Sequence, residues 1–140
     1  MLNTKQNELG RKTEDMIAQF FKSKKYWAFV IPKKREGQPC DIIAIRKDDV
    51  WIIDAKHLEE NKASFSFSRI EPNQITSMKY MHIFANIEAH IGFIISWDRE
   101  PNRLFYFDYD NFTDLSQKGL KSIKIEELDD MEDLIECEQL

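Results

Sequence analysis

Pro39-Cys40-Asp41-Ile42-Ile43-Ala44-Ile45-Arg46 runs into a charged gap, Lys47-Asp48-Asp49, and out again through Val50-Trp51-Ile52-Ile53-Asp54-Ala55-Lys56. Two apolar, β-branched runs about a polar break predict a hairpin. Side chains alternate faces along a strand, so Asp54 and Lys56 point the same way. Antiparallel pairing lays the start of the first strand beside the end of the second, which lets Asp41 join them. Two carboxylates and an ammonium at one spot, next to a strand apolar enough for a core, suit a divalent metal site. Mg²⁺ takes hard oxygen ligands, typically one or two carboxylates with waters and phosphate oxygens. Such an ion acidifies a bound water and offsets charge developing on a phosphodiester. Lys56 would stabilise the same charge or position the attacking water. The carbonyl of Ala55 is a further candidate ligand. The plain alternative is a solvated Asp-x-Lys ion pair on a strand edge. Pro-x-Asp before one hydrophobic strand and Asp-x-Lys closing the next argue for the site.

Pro39-Cys40-Asp41 with Asp54-Ala55-Lys56 resembles the PD-(D/E)xK nuclease superfamily. The next stretch narrows the likeness. Asn61-Lys62-Ala63-Ser64-Phe65-Ser66-Phe67-Ser68, then Ile70 and Asn73-Gln74-Ile75, is similar to RecU-type Holliday junction resolvases. Gly92-Phe93-Ile94-Ile95 is like a strand of that family, and the resemblance spans roughly residues 8 to 107. It implies an α/β fold, one domain with a central mixed sheet flanked by helices. It also implies Asp41 and Asp54 as metal carboxylates and Lys56 as the catalytic lysine. Gln74 would lie near the metal at the start of a helix, and Glu14 would complete the site through water. The chain departs from the family in three places. Asp54 stands where Glu is usual, Asn73 replaces a His, and only Pro32 to Gln38 occupies the place of a junction-entering stalk.

Composition is that of one packed domain. The 140 residues are 42% hydrophobic, with ten Phe and three Trp, enough for a real core. Cys40 and Cys137 follow no metal or redox spacing, so a reducing compartment is expected. No run approaches a membrane span, and Met1 to Lys12 lacks a signal-peptide core. A cytoplasmic protein of a bacterial or phage-infected cell is expected.

The net charge of −5 is unevenly spread: residues 126–140 hold eight carboxylates and no Lys or Arg, so the rest of the chain stands at +3. Residues 1–125 are read as the nuclease domain and 126–140 as an acidic segment. Leu128, Met131, Leu134 and Ile135 predict a helix there, packed on the same domain with its acidic face in water. A second reading makes it a DNA mimic lying in a basic cleft.

Elsewhere the pattern alternates. Asn7 to Lys24 is helical, Tyr26 to Ile31 a strand, Ile70 to Asn86 a helix, Ala89 to Trp97 a strand buried on both faces, and Leu104 to Tyr109 a paired strand. Asp110 to Lys118 suits a short helix and Lys121 to Ile125 an edge strand. Without the resemblance, Glu14 reads as a surface carboxylate of the first helix. Lys33, Lys34 and Arg35 read equally as a solvated loop or as phosphate contacts. Arg11, Lys62 and Arg69 are further DNA-contact candidates, while Phe65 and Phe67 suit the core or a dimer contact. His57, His82 and His90 share no catalytic or zinc spacing.

With the resemblance, these readings imply a Mg²⁺-dependent endonuclease, with Mn²⁺ as a substitute, acting on Holliday (four-way) junctions or other branched DNA. Two symmetric cuts ask for a homodimer. The alternatives are a duplex, flap or single-strand nuclease of the same superfamily, and a catalytically silent DNA-binding module. A DNA-mimic protein acting through the acidic end fits poorly with the basic first forty residues.

Overall fold

The computed structural model describes residues 4–32, 38–84 and 88–138. The backbone runs α1 (Thr4–Ser23), β1 (Trp27–Val30), β2 (Ile42–Arg46), β3 (Asp49–Leu58), β4 (Ser64–Ser66), α2 (Pro72–Phe84), β5 (Ala89–Trp97) and β6 (Glu100–Asp108). Then follow α3 (Tyr109–Gln117), β7 (Ser122–Lys124), β8 (Asp129–Asp130) and α4 (Met131–Glu138). The central sheet has the order β1-β2-β3-β5-β6-β8, and β4 pairs with β7 in a separate ribbon. Among the described residues only β3 and β5 run parallel, so the sheet is mixed, as expected.

The hairpin forms in the expected register, with Ile42 opposite Ile53 and Arg46 opposite Asp49. Lys47 and Asp48 make the turn, and Lys47 takes a left-handed backbone conformation (φ 57°). Asp49 is therefore the first residue of β3, not part of the gap.

Alternation along β3 divides the core in two. Trp51 and Ile53 face α1 and α4, where they meet Ile17, Phe21, Met131 and Ile135. Ile52 and Leu58 face the other side, with Met78 of α2 and Phe112 of α3. Burial of such side chains contributes about 1.5–3 kcal/mol each. The acidic segment thus anchors itself by Met131 and Ile135, while Lys24 pairs with Glu132 at 2.8 Å.

Strand β5 is covered on both faces, hence its unbroken apolar run. Gly92 is needed there, because a Cβ would land 2.4 Å from the carbonyl oxygen of Phe107 on β6. Strand β6 begins at Glu100, earlier than its apolar part, because its polar start pairs across the turn after Trp97. Phe65 is buried and Phe67 stacks on Phe107, so both are core residues. Among the described residues no helix is long and apolar enough to cross a membrane.

Candidate active site

Strand β2 reaches only to the Ile42–Ile53 pair, so from Asp54 onward β3 pairs with β5 alone among the described residues. That open edge is where the polar groups gather. Asp41, just before β2, turns its carboxylate into the gap and accepts the Ala55 N–H through Oδ2 at 2.8 Å. A residue's N–H and C=O lie on the same side of a strand, so the Ala55 carbonyl faces the same edge. Gln38 steadies Asp41 by donating to its Oδ1 (3.1 Å) and to the Cys40 carbonyl (2.8 Å).

Asp54 and Lys56 share the α2 face, as their spacing predicts. The Asp54 carboxylate is 3% exposed. Its Oδ1 accepts from Gln74 Nε2 at 3.0 Å. Its Oδ2 lies 3.2 Å from Lys56 Nζ but receives no well-directed hydrogen bond. Lys56 Nζ instead donates to the Arg69 carbonyl (3.0 Å) and to Gln74 Oε1 (3.2 Å).

Gln74 is held in place by helix chemistry. Pro72 occupies the first turn, where its missing N–H costs nothing. Gln74 Oε1 reaches back to the Glu71 N–H at 3.0 Å, one half of a capping box. Its amide therefore has one sensible orientation, oxygen toward Lys56 and nitrogen toward Asp54.

Burial pushes the Asp54 carboxyl up to about 8; Lys56 opposes that rise, and the charge of Asp41 adds to it. The buried Cys40 thiol is pushed up to about 12, first by burial and then by Asp41 and Asp54. It is a packed residue, not a nucleophile.

The remaining candidates come from other elements. Glu14 is buried rather than on the surface, on α1 against the opposite sheet face, beside Thr13, whose hydroxyl meets that of Ser96 at 2.9 Å. Arg11 and Lys62 are exposed, the Lys62 carbonyl accepting from the Trp97 indole at 2.8 Å. Arg69 lays its guanidinium over the Phe65 ring at 5.5 Å. Lys33, Lys34 and Arg35 lie outside the described residues. The three histidines pair with Asp98, Asp110 and Asp49 at separate places.

Sequence reasoning missed Gln38; its proximity to Asp41 was the only signal. Among the described residues no cluster of three His, Cys, Asp or Glu side chains forms a protein-only metal cage. The cluster at the open edge offers two carboxylates and a carbonyl, a hard oxygen set. One buried carboxylate oxygen there lacks a hydrogen bond, and this is what a water-rich Mg²⁺ site asks of a protein.

A mixed sheet with two carboxylates and a lysine at an open edge is the nuclease-type α/β fold that the hairpin suggests. The chain belongs to the RecU family, Recombination protein U, which it matches over residues 16–140. It is a nuclease of the Holliday-junction-resolving class that serves recombination. Among solved structures, it resembles Hjc of Archaeoglobus fulgidus, a Holliday junction resolvase from an archaeal hyperthermophile. The TM-score is 0.59 at 15% identity, over 90% of this chain and 94% of that one, a likeness of fold. No curated protein matches significantly.

Proposed function

We propose that this chain cuts four-way DNA junctions as a Mg²⁺-dependent homodimer, with Mn²⁺ able to substitute. Asp41, Asp54 and the Ala55 carbonyl would hold the cation. When bound, the ion supplies a Lewis acid for the phosphate and an acidified water. The observation that carries this reading is the buried Asp54 carboxylate, short of one hydrogen bond and pushed toward its neutral form.

The chain's own residues do the rest. Asp54 would release its proton to solvent on taking up the cation, and Asp41 is held ready by Gln38 and the Ala55 N–H. Lys56, tethered by Gln74 and the Arg69 carbonyl, offers its ammonium to the phosphate or the attacking water. Gln74 keeps the lysine and Asp54 at a fixed separation. Glu14 supports the cluster through water. Phosphates flanking the cut are met by Lys62, Arg69, Arg11 and the segment Lys33, Lys34 and Arg35, contacts that weaken steeply with salt. The work is done where the DNA is, in the cytoplasm of a bacterial or phage-infected cell.

A labelled four-way junction, with duplex, flap and single-strand controls, tests this in Mg²⁺ and in Mn²⁺. Paired symmetric nicks in the junction are expected. Lys56→Ala is expected to lower the rate by roughly 10²–10³-fold. Equal cutting of every substrate would discard junction preference. Tight binding without cutting in either metal would reduce the chain to a binding module.

A further inference from the structure

Strand β1 is an edge of the sheet, and two of its rings stand in water. Trp27 is 58% and Phe29 45% exposed, and they stack with centroids 5.8 Å apart and planes 1° from parallel. A lone exposed ring calls for no explanation, but two held parallel make a flat apolar surface.

Register puts that surface on the same side of the sheet as Asp54 and Lys56. Phe29 pairs with Ile43, and Ile43 with Ile52, so the three side chains share a face. Asp54 follows Ile52 by two residues and lies on it too. Ala28 and Val30, between and after the rings, turn the other way, into the core beneath α1. Both β1–β2 and β2–β3 are antiparallel, so β1 runs with β3 and its rings lead toward the site. Ile31, next in the row, donates its N–H to the Asp41 carbonyl at 2.8 Å. Strands lie about 4.8 Å apart and rise about 3.3 Å per residue, which sets Phe29 roughly 12 Å and Trp27 roughly 16 Å from Asp54. A few nucleotides of one strand cover that distance.

Charge tells what suits the surface. From Lys22 to Arg35 the sequence holds six basic residues and no Asp or Glu. Lys33, Lys34 and Arg35 enter that count as charge alone. Lys24 is committed to Glu132 at 2.8 Å. Lys25, two residues before Trp27, and Lys47, two after its partner Ile45, are exposed. Contacts between proteins are depleted in lysine, whereas surfaces for single-stranded nucleic acid mix cations with aromatic rings. Lysines on an edge strand also discourage another sheet from pairing with it. The combination fits a polyanion with flat apolar faces, a DNA strand whose bases are unpaired.

We propose that Trp27 and Phe29 are a stacking platform for unpaired bases of the DNA strand whose backbone reaches Asp41, Asp54 and Lys56. Every base has a π-face, so the platform ignores sequence and selects for bases freed from pairing. A paired duplex keeps its bases inside and cannot use it; the opened bases of a branch point or a single-stranded arm can. This deepens the proposed function and rests on it in one respect, that the Asp54 cluster is where the backbone is cut.

The test is DNA binding by the full chain in chelator, where nothing is cut. The probes are a single-stranded oligonucleotide carrying 2-aminopurine, a fork with one single-stranded arm, and a paired duplex. Trp27→Ala and Phe29→Ala are each expected to weaken single-strand and fork binding roughly tenfold or more, with duplex binding unchanged. Emission from 2-aminopurine, quenched on the wild type, should recover in Trp27→Ala, while Trp27→Phe keeps a ring and most of the affinity. Stacking releases no counterion, so the salt slope of binding should hold in both ring variants and flatten in Lys25→Ala. Equal losses on all three DNAs would make the rings merely structural and overturn the inference. Unchanged single-strand affinity in both ring variants overturns it too. So does a wild-type dimer that falls to monomers without the rings, which would make them a protein contact. A chain that cuts junctions while no DNA responds to the rings sinks the platform and keeps the nuclease. Ring-dependent single-strand binding in a chain that cuts nothing does the reverse.

Discussion

Asp49 and Asp54 stand on one strand, β3, and both are drawn in from water, yet their surroundings differ in kind. Asp49 Oδ2 accepts from the Tyr26 hydroxyl and from the Trp51 indole at 3.0 Å, and Oδ1 pairs with His90 at 3.0 Å. The His90 ring in turn stacks on Trp51 with centroids 4.0 Å apart. Its donors come from three elements, so Asp49 knits α1's following loop to β3 and β5. Asp54 has one good hydrogen bond, a lysine short of ideal geometry, and a second carboxylate for a neighbour. A carboxylate kept for structure has its lone pairs filled. One kept for chemistry is left short, at a cost to the fold, until a cation arrives.

The sharpest way to break this contrast is Asp54→Asn. Junction cleavage is expected to fall by roughly 10³-fold or more. The metal-free melting temperature at neutral pH is expected to rise by about 5 °C, because an amide can be buried there without the proton that folding must force onto Asp54. Scanning fluorimetry with a chelator reads the second effect; a lower melting temperature would mean that Asp54 is structural, like Asp49. Next in size, Gln74→Ala should lower cleavage by roughly 10–100-fold, since the helix still forms but Asp54 and Lys56 lose their spacer. Unchanged cleavage would remove Gln74 from the site.

Proton linkage comes third. Burial raises the Asp54 carboxyl to about 8, well above its unfolded value, so the folded chain holds a proton that the unfolded chain releases. That contribution to stability is complete below about pH 4 and is lost as pH climbs through about 8. Urea midpoints in chelator should therefore fall between pH 5 and 8.5 in the wild type and much less in Asp54→Asn. Metal affinity should run the opposite way, gaining up to about tenfold per pH unit and levelling above pH 8. The smallest effect on cleavage is expected from Asp49→Ala. Activity per folded molecule should be unchanged, while stability falls by about 3 kcal/mol as the donors of Tyr26, Trp51 and His90 lose their acceptor. Lost cleavage in a folded Asp49→Ala chain would end the comparison.

The sequence made the Asp54 end of β3 far more legible than the Asp49 end, and the reason is physical. Strand alternation and hairpin register are local rules, and they carry Asp41, Asp54 and Lys56 to one edge without any knowledge of the rest. Asp49 looked like turn polarity, because its partners come from Tyr26 and His90, far away in the chain, where no period reports them. Gln74 was visible only through the family likeness; nothing in a helix pattern says which residue its first turn touches. Glu14, apart from that likeness, read as a surface residue, and its burial follows from the depth to which α1 sinks beside Thr13 and Ser96. The β4–β7 ribbon was half visible, since Lys121 to Ile125 looked like an edge strand while Ser64 to Ser66 is too short to declare itself.

Helix α2 carries Gln74 at one end and Tyr80 and Phe84 toward the other. At 1.5 Å per residue the separation is roughly 9–15 Å, about the span of a short rigid rod. A small tilt of that rod shifts the amide that spaces Asp54 from Lys56, so whatever settles on the exposed rings of Tyr80 and Phe84 bears, through the helix, on the open edge of the sheet.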